Sequence, residues 1–265
     1  MEEIFEMEEK KEMEEMYEKE EILSLLKEIE EEYNIEILYA VESGSRAWGL
    51  SNEESDYDIR FIFKHSIKDY LSLKNPRDAI DRTIGDYDIV GWDIKKALKL
   101  HMKDNPNLRE WIKTPIVYYG SPDFLMDLPE FDFAVLKFHY GSIAYNIWKD
   151  VLNKSEMDRK TAKNYLYCIR CILAWICADM DKDSSIKIAD LMEDSEIDDD
   201  TKKDILEFIN NYRSLSIENI SEDTINRLSI WIDDHMDKIH GNYPKKEKKD
   251  PNIYDQKLFE ILGVE

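Results

Sequence analysis

The sequence predicts an α+β protein, with a mixed sheet and helices in the first half of the chain and only helices in the second. Three observations support this fold class. Short β-branched and aromatic runs of strand length lie before residue 95. From Phe133 onward, apolar residues recur at helical spacing. Pro122 and Pro129 lie between these two regions and mark the boundary.

The elements of the first half alternate between helix and strand. A Glu-rich segment becomes a clear amphipathic helix from Ile22 onward. The predicted strands are 35–41, 57–63 and 87–94. Short helices are predicted at 68–73, 95–102 and 108–112, and Pro106 separates the last two. In the second half the predicted helices are 134–151, 159–180, 200–215 and 223–239.

These elements divide the chain into four parts. An acidic helical segment covers 1–33, an α/β domain 34–125, a helical domain 130–243 and a C-terminal tail 244–265. The acidic stretch 193–204 is interpreted as a loop between helices. The basic run 245–249 (KKEKK) follows Pro244, and a solvated tail is favoured there over a contact with phosphates.

The formal net charge of −23 over 265 residues opposes broad electrostatic adhesion to nucleic acid or anionic lipid. The first 33 residues hold 15 Glu against 4 Lys, a net of −11. They are typical of a charged surface helix, and the alternative is an arm that binds a protein partner or mimics nucleic acid. No stretch is apolar enough to span a membrane, and no secretory leader is recognisable.

Three cysteines lie close together, at 168, 171 and 177. Their odd number argues against a disulfide framework and favours a reducing cytosol, so we expect a cytoplasmic protein. No second pair and no neighbouring histidine complete a zinc site. We therefore expect the three thiols to be buried as small apolar groups.

One stretch carries chemistry. Gly44 and Ser45 follow the first strand and begin a short helix, whose backbone N–H groups can face an anion. Asp56 and Asp58 lie two residues apart where the second strand begins, so both carboxylates point to one face. Two such carboxylates repel each other unless a cation lies between them, and oxygen-only ligands suit Mg²⁺. Two ions bridged by aspartates would stabilise phosphoryl transfer.

This ordered pair of motifs resembles the DNA polymerase beta-like nucleotidyltransferase superfamily. Four segments narrow the resemblance to its RlaP-type branch, which is linked to RNA repair: GSRAWG, SDYDIRFIF, GWDIKKALKL and NPNLREWIKTPIVY. The resemblance implies a palm-like sheet and transfer of a nucleotidyl group from an NTP, most simply ATP. It further implies two Mg²⁺ or Mn²⁺ ions and an RNA end as the candidate acceptor.

The resemblance also implies a third carboxylate on a neighbouring strand, which would share the metal held by Asp56 and Asp58. The third predicted strand offers three candidates. Asp88 is favoured because it lies mid-strand before β-branched residues. Asp93 remains an alternative, although an N-cap is its natural structural role. Asp86 shares the parity of Asp88 but lies nearer the turn.

The expected nucleotide contacts come from both halves of the chain. The first half contributes Gly44, Ser45, Arg46 and Ser55, and the helical half contributes Lys163, Tyr167 and Arg170, which share one helix face. Binding of long RNA would further require that the basic residues gather into one cleft. Those residues are Arg46, Arg60, Lys95, Lys96, Lys163 and Arg170.

Two alternative functions remain open at this point. The acceptor hydroxyl can belong to a protein or a small molecule, as in AMP- or UMP-ylation by antitoxin-like members of the superfamily. The other alternative is a non-catalytic member that binds a partner through its acidic helix. The intact set of Gly44, Ser45, Asp56 and Asp58 argues against the non-catalytic reading.

Overall fold

The computed structural model describes residues 2–154, 156–239, 243–245 and 248–264, with the backbone alone for 2–15. Its strands form one five-stranded sheet in the order β3-β4-β2-β1-β5. The strands are β1 (Glu36–Glu42), β2 (Tyr57–Lys64), β3 (Ala79–Ile84), β4 (Tyr87–Asp93) and β5 (Val117–Gly120). The sheet is mixed, as predicted, because β2 and β4 are parallel while β1 runs antiparallel to both β2 and β5.

Helices surround this sheet and form the whole second half of the described chain. Those of the first half are α1 (Glu2–Tyr33), α2 (Gly44–Ala47), α3 (Ile67–Tyr70), α4 (Ile94–Met102), α5 (Pro106–Lys113) and α6 (Asp123–Met126). Those of the second half are α7 (Phe133–Leu152), α8 (Arg159–Asp179), α9 (Ile188–Asp194), α10 (Asp199–Arg213), α11 (Glu222–Met236) and α12 (Pro251–Leu262). No described helix has the length and apolar character needed to cross a membrane.

Alternation along β2 assigns the two faces of the sheet. Ile59, Phe61 and Phe63 point to one face and pack against the apolar stripe of α1. Ile62 points to the opposite face, toward α4 and α5. Asp58 and Arg60 share the parity of Ile62, so the charged residues of β2 lie on the face that α1 does not cover.

Three predicted strands and all four long helices of the second half are confirmed within a few residues. The edge strands β3 and β5 were not predicted. β3 carries Asp81 and Arg82 among its apolar residues, and charged side chains are common on sheet edges because they oppose pairing with another chain. β5 has only four residues and follows Pro115, so its pattern is too short to recognise.

Two predictions for acidic and basic segments are wrong. The stretch 193–204 is mostly helical: α9 ends at Asp194 and α10 begins at Asp199, which leaves a four-residue connection. Most of the expected tail is the helix α12, which begins at Pro251 and packs on α4 with Tyr254 buried. Lys249 of the basic run forms an ion pair with buried Asp104 at 2.6 Å, while Lys246 and Glu247 lie outside the described residues.

The buried thiols agree with the sequence. Cys168, Cys171 and Cys177 are free and lie in the core of the helical half. Burial raises the pKa of Cys171 to about 12, so the thiol stays protonated at neutral pH. These residues are therefore packing groups of α8.

Candidate active site

The turn after β1 brings the backbone of Gly44 against a catalytic candidate. Gly44 has φ +60°, and a Cβ built on it would lie 1.9 Å from Asp58 Oδ2. Only glycine can adopt this backbone conformation and also leave room for the carboxylate. Ser45, the next residue, is buried within the single turn of α2. The predicted glycine–serine turn is thus in contact with the predicted carboxylates.

Two of the three predicted carboxylates lie side by side. Because β2 and β4 are parallel and in register, Asp58 is paired directly with Asp88. One guanidinium nitrogen, Arg60 Nη2, lies 2.7 Å from Asp58 Oδ1 and 2.8 Å from Asp88 Oδ2. Burial raises the pKa of Asp58, Arg60 lowers it, and the charge of Asp88 raises it further. The two acids therefore share one cation.

Asp93, the alternative third acid, is engaged in local structure at the end of β4. It is buried at the end of β4 and caps α4 by accepting a hydrogen bond from Lys95 N at 2.8 Å. Its other oxygen accepts from Tyr70 Oη at 2.5 Å. Both oxygens are thus engaged in local structure. Asp86 precedes β4, and its backbone oxygen accepts from Tyr57 N.

Asp56 lies just before β2 and is exposed. Within the described part of the chain, no three acidic, His or Cys side chains are grouped closely enough to hold a metal ion. The carboxylate oxygens of Asp58 and Asp88 still suit Mg²⁺. The Arg60 guanidinium supplies the positive charge between them in this structure. A divalent ion therefore fits these two carboxylates, and Asp56 would have to turn inward to join them.

The side chains of Arg46 and Ser55 are both hydrogen-bonded within the protein. Arg46 donates to Ser55 O at 2.9 Å and to Asp56 O at 3.2 Å, and its guanidinium carbon lies 3.6 Å from the centre of the Tyr57 ring. The Ser55 hydroxyl accepts from Asn52 N at 2.9 Å. Both side chains therefore order the segment that carries Asp56, and their predicted contact with nucleotide has no support in these contacts.

Glu42 is a buried carboxyl that the sequence analysis missed. It accepts a hydrogen bond from Asp58 N at 2.8 Å and another from the Tyr118 hydroxyl. Burial raises its pKa to about 7, an effect that these two hydrogen bonds oppose. Glu42 is the last residue of β1 and lies two residues before Gly44. An acid at the end of a predicted strand was the one feature of the sequence that could have pointed to it. Its hydrogen bond with Asp58 N holds the backbone at Asp58 in place.

A cavity of about 300 Å³ opens beside Asp58, between the sheet and the helical half, and neither Asp56 nor Asp88 lines it. Asp58 and Arg60 line one side, and Lys163 and Tyr167 of α8 line another. The Tyr167 ring stacks on Trp48 with centroids 4.8 Å apart. The remaining lining residues are Ser43, Gly44, Ser45, Trp48, Val90, Trp92, Asn107, Glu110 and Trp111.

Arg170, predicted to contact the nucleotide, does not reach this cavity. It is 1 % exposed, with Nη2 at 2.9 Å from Glu110 Oε1 and Nε donating to Ile186 O at 3.0 Å. Glu110 Oε2 in turn accepts from the Trp48 indole N–H at 2.9 Å. Arg170 therefore joins α8 to α5 and to the end of α2, and these contacts give no support to its predicted contact with nucleotide.

The expected basic cleft does not form among the described residues. Of its six members, Arg60 and Lys163 line the cavity. The Lys95 ammonium instead lies 4.6 Å from the centre of the Tyr70 ring, and Lys96 lies 3.9 Å from Asp78. The condition for tight binding of long RNA is therefore not met.

Residues 48–56, here called the Asp56 loop, are held by the helical half. Leu50 is buried in the apolar core of that half. Gly49 O accepts a hydrogen bond from the side chain of Arg213, at the end of α10. Further contacts join Trp48 O to Ile188 N, Asn52 Nδ2 to Tyr212 O and Glu54 to Arg159.

The chain is similar in sequence to known proteins. The family described as RlaP, RNA repair pathway DNA polymerase beta family, matches residues 18–258. A curated relative, the uncharacterized protein YcgL of Bacillus subtilis (strain 168), is 41 % identical over 163 residues. That match covers 58 % of this chain and 62 % of YcgL, so the chain spans less than two thirds of the length of this relative.

Proposed function

The chain belongs to the RlaP family, the RNA repair pathway DNA polymerase beta family, and from this premise we propose that it is a metal-dependent nucleotidyltransferase. In the proposed reaction, NMP passes from an NTP, with ATP as the expected donor, to a hydroxyl acceptor in the cytoplasm. One observation carries the proposal: Asp58 and Asp88 are paired on parallel strands, and Asp58 Oδ2 lies against the Gly44 backbone.

The triphosphate would lie over the turn at Gly44 and Ser45, close to both carboxylates. Mg²⁺ or Mn²⁺, held by Asp58 and Asp88 with Asp56 as a third ligand, would supply positive charge to the phosphates. Lys163 lines the same cavity and adds a protein cation. The stacked pair of Trp48 and Tyr167 gives the cavity an aromatic wall against which a base can pack.

The reaction forms a bond between the acceptor oxygen and the α-phosphorus. It breaks the bond from the α-phosphorus to the oxygen that bridges to the β-phosphate, so pyrophosphate leaves. The proton of the acceptor hydroxyl passes to Asp88 at Oδ1, the oxygen opposite the one that accepts from Arg60. Glu42 keeps Asp58 in place during this step through the backbone N–H of Asp58.

The acceptor proposed first is an RNA end, in line with the description of the family. A second candidate, a hydroxyl of a protein or small molecule, is favoured by the absence of a basic cleft along the described site. A role as a non-catalytic binding protein through the acidic helix is the third candidate, and the paired carboxylates count against it.

The test is transfer of label from each of the four α-labelled NTPs in the presence of Mg²⁺ or Mn²⁺. Acceptors are tRNA, cleaved RNA, or no added acceptor. Label on RNA supports the first candidate, and label on protein alone supports the second. Asp58→Asn is expected to lose transfer, whereas Asp81→Asn, an exposed acid on β3, is the matched control. Transfer that persists undiminished in Asp58→Asn contradicts the proposal.

A further inference from the structure

Arg60 has an unusual position for a basic residue in a site that would bind metal. Its side chain is 15 % exposed and donates four hydrogen bonds. Two go to Asp58 Oδ1 and Asp88 Oδ2, at 2.7 and 2.8 Å. The other two go to backbone oxygens, Asp88 O at 2.8 Å and Ile59 O at 3.1 Å. Backbone and side-chain oxygens of β2 and β4 therefore hold the guanidinium in place.

The contacts of Arg60 also decide which carboxylate oxygens remain available. Because Arg60 takes Oδ1 of Asp58, the other oxygen, Oδ2, lies against Gly44, at the turn proposed to hold the triphosphate. Because it takes Oδ2 of Asp88, the oxygen Oδ1 of that residue is left for an incoming group. One cation thus orients both acids.

We propose that Arg60 is a positioning residue that serves as a built-in cation, holding Asp58 and Asp88 together before the metal binds and lowering the affinity of the site for that metal. This inference rests on the proposed function. A fixed positive charge beside the carboxylates repels a divalent ion, so it weakens binding. The same charge keeps the two acids from repelling each other, so the geometry that catalysis needs already exists in the metal-free protein.

The test measures Mn²⁺ affinity of the full-length, nucleotide-free protein from the electron paramagnetic resonance signal of free Mn²⁺. Arg60→Gln removes the charge, and we expect about tenfold tighter binding, the effect of a unit charge ~6 Å from a divalent ion in a water-like dielectric. Nucleotidyl transfer is expected to fall in the same variant. A purely structural ion pair predicts weaker metal binding together with the lost activity.

Two further variants separate charge from geometry. Arg60→Lys keeps the charge, so its Mn²⁺ affinity should stay within about threefold of wild type while transfer falls. Arg82→Gln, on β3, removes a cation that pairs with Glu32 away from the site, and Mn²⁺ affinity should not change. Millimolar guanidinium ion should weaken Mn²⁺ binding in Arg60→Gln and have no effect on wild type.

The outcomes are distinct from those that test the proposed function. If Asp58→Asn abolishes Mn²⁺ binding but Arg60→Gln binds no more tightly than wild type, the inference on Arg60 is overturned and the proposed function stands. If Arg60→Gln does not fold, an Arg60→Lys protein with tenfold altered affinity overturns the inference. If neither wild type nor Arg60→Gln binds Mn²⁺, the inference on Arg60 is overturned, and label transfer still decides the proposed function.

Discussion

Substitution of Gly44 by alanine tests the contact between the glycine turn and Asp58. The new Cβ would lie 1.9 Å from Asp58 Oδ2 and 2.7 Å from its Cγ, well inside van der Waals contact. The carboxylate must therefore rotate, and rotation breaks its 2.7 Å contact with Arg60. The backbone at φ +60° adds strain of roughly 1–2 kcal/mol for any residue with a Cβ.

Gly49 provides the matched control. It has φ +73°, but a Cβ there would meet only Arg213 Nη2 at 3.6 Å, an ordinary contact. Gly49→Ala should therefore show the backbone strain alone, seen as a fall in the melting temperature of about 2–4 °C per kcal/mol. Gly44→Ala should show a similar fall in stability and, in addition, about a hundredfold loss of nucleotidyl transfer, the loss expected when a reacting group moves by ~1 Å.

The assay is label transfer from an α-labelled NTP under single-turnover conditions, with thermal unfolding measured on the same samples. If Gly44→Ala and Gly49→Ala retain equal activity, displacement of the Asp58 carboxylate is not the cause of any loss. The same conclusion follows if both variants lose activity in proportion to their loss of stability.

Three other predictions concern stability. Burial lowers the pKa of His101 to about 4, below its usual value near 6.5. The neutral imidazole therefore stabilises the fold above pH 6.5, and this stability is lost as the pH falls toward 4. His101→Gln should reduce the loss of unfolding free energy over this pH range by about 3 kcal/mol in urea unfolding, and an unchanged pH dependence would exclude His101 as its cause. Glu110→Ala leaves the buried charge of Arg170 unpaired and should cost about 3–5 kcal/mol in chemical unfolding, whereas a loss below 1 kcal/mol would mean that the pair is not formed. Gly91→Ala places a Cβ 2.1 Å from Phe61 Cζ and should cost about 1–3 kcal/mol, and adding Phe61→Leu should recover part of that loss if the clash is the cause.

The sequence predicted the parts of the site that depend on strand geometry. Alternation along β2 assigns Asp58 to one face, and parallel pairing places Asp88, the second residue of β4, beside it. The short motif at Gly44 also fixed the position of the turn, because close approach of a side chain to backbone requires glycine there.

The other contacts of the site could not be predicted, because helical spacing shows which residues share a face but not how deeply each side chain is buried. Lys163, Tyr167 and Arg170 share a face of α8, yet the first is exposed and the last is almost fully buried against Glu110. Arg46 and Arg60 have similar reach, but their different neighbours decide that Arg46 orders the Asp56 loop, whereas Arg60 bridges two acids. Glu42 was missed because an acid at the end of β1 was its only sequence signal, and its partner, Tyr118, is 76 residues away.

The anchoring of the Asp56 loop has a consequence for how the protein is made. The ribosome makes the loop before Arg213, which holds Gly49 O and follows 164 residues later. At roughly 5–20 residues per second, the ribosome needs about 8–33 s to cover that distance. During this interval Leu50 has no helical core to enter, because that core is built from residues 136–236. The emerging chain thus carries Asp56 and Asp58 without the contacts that hold residues 48–56 until the helical half has been made.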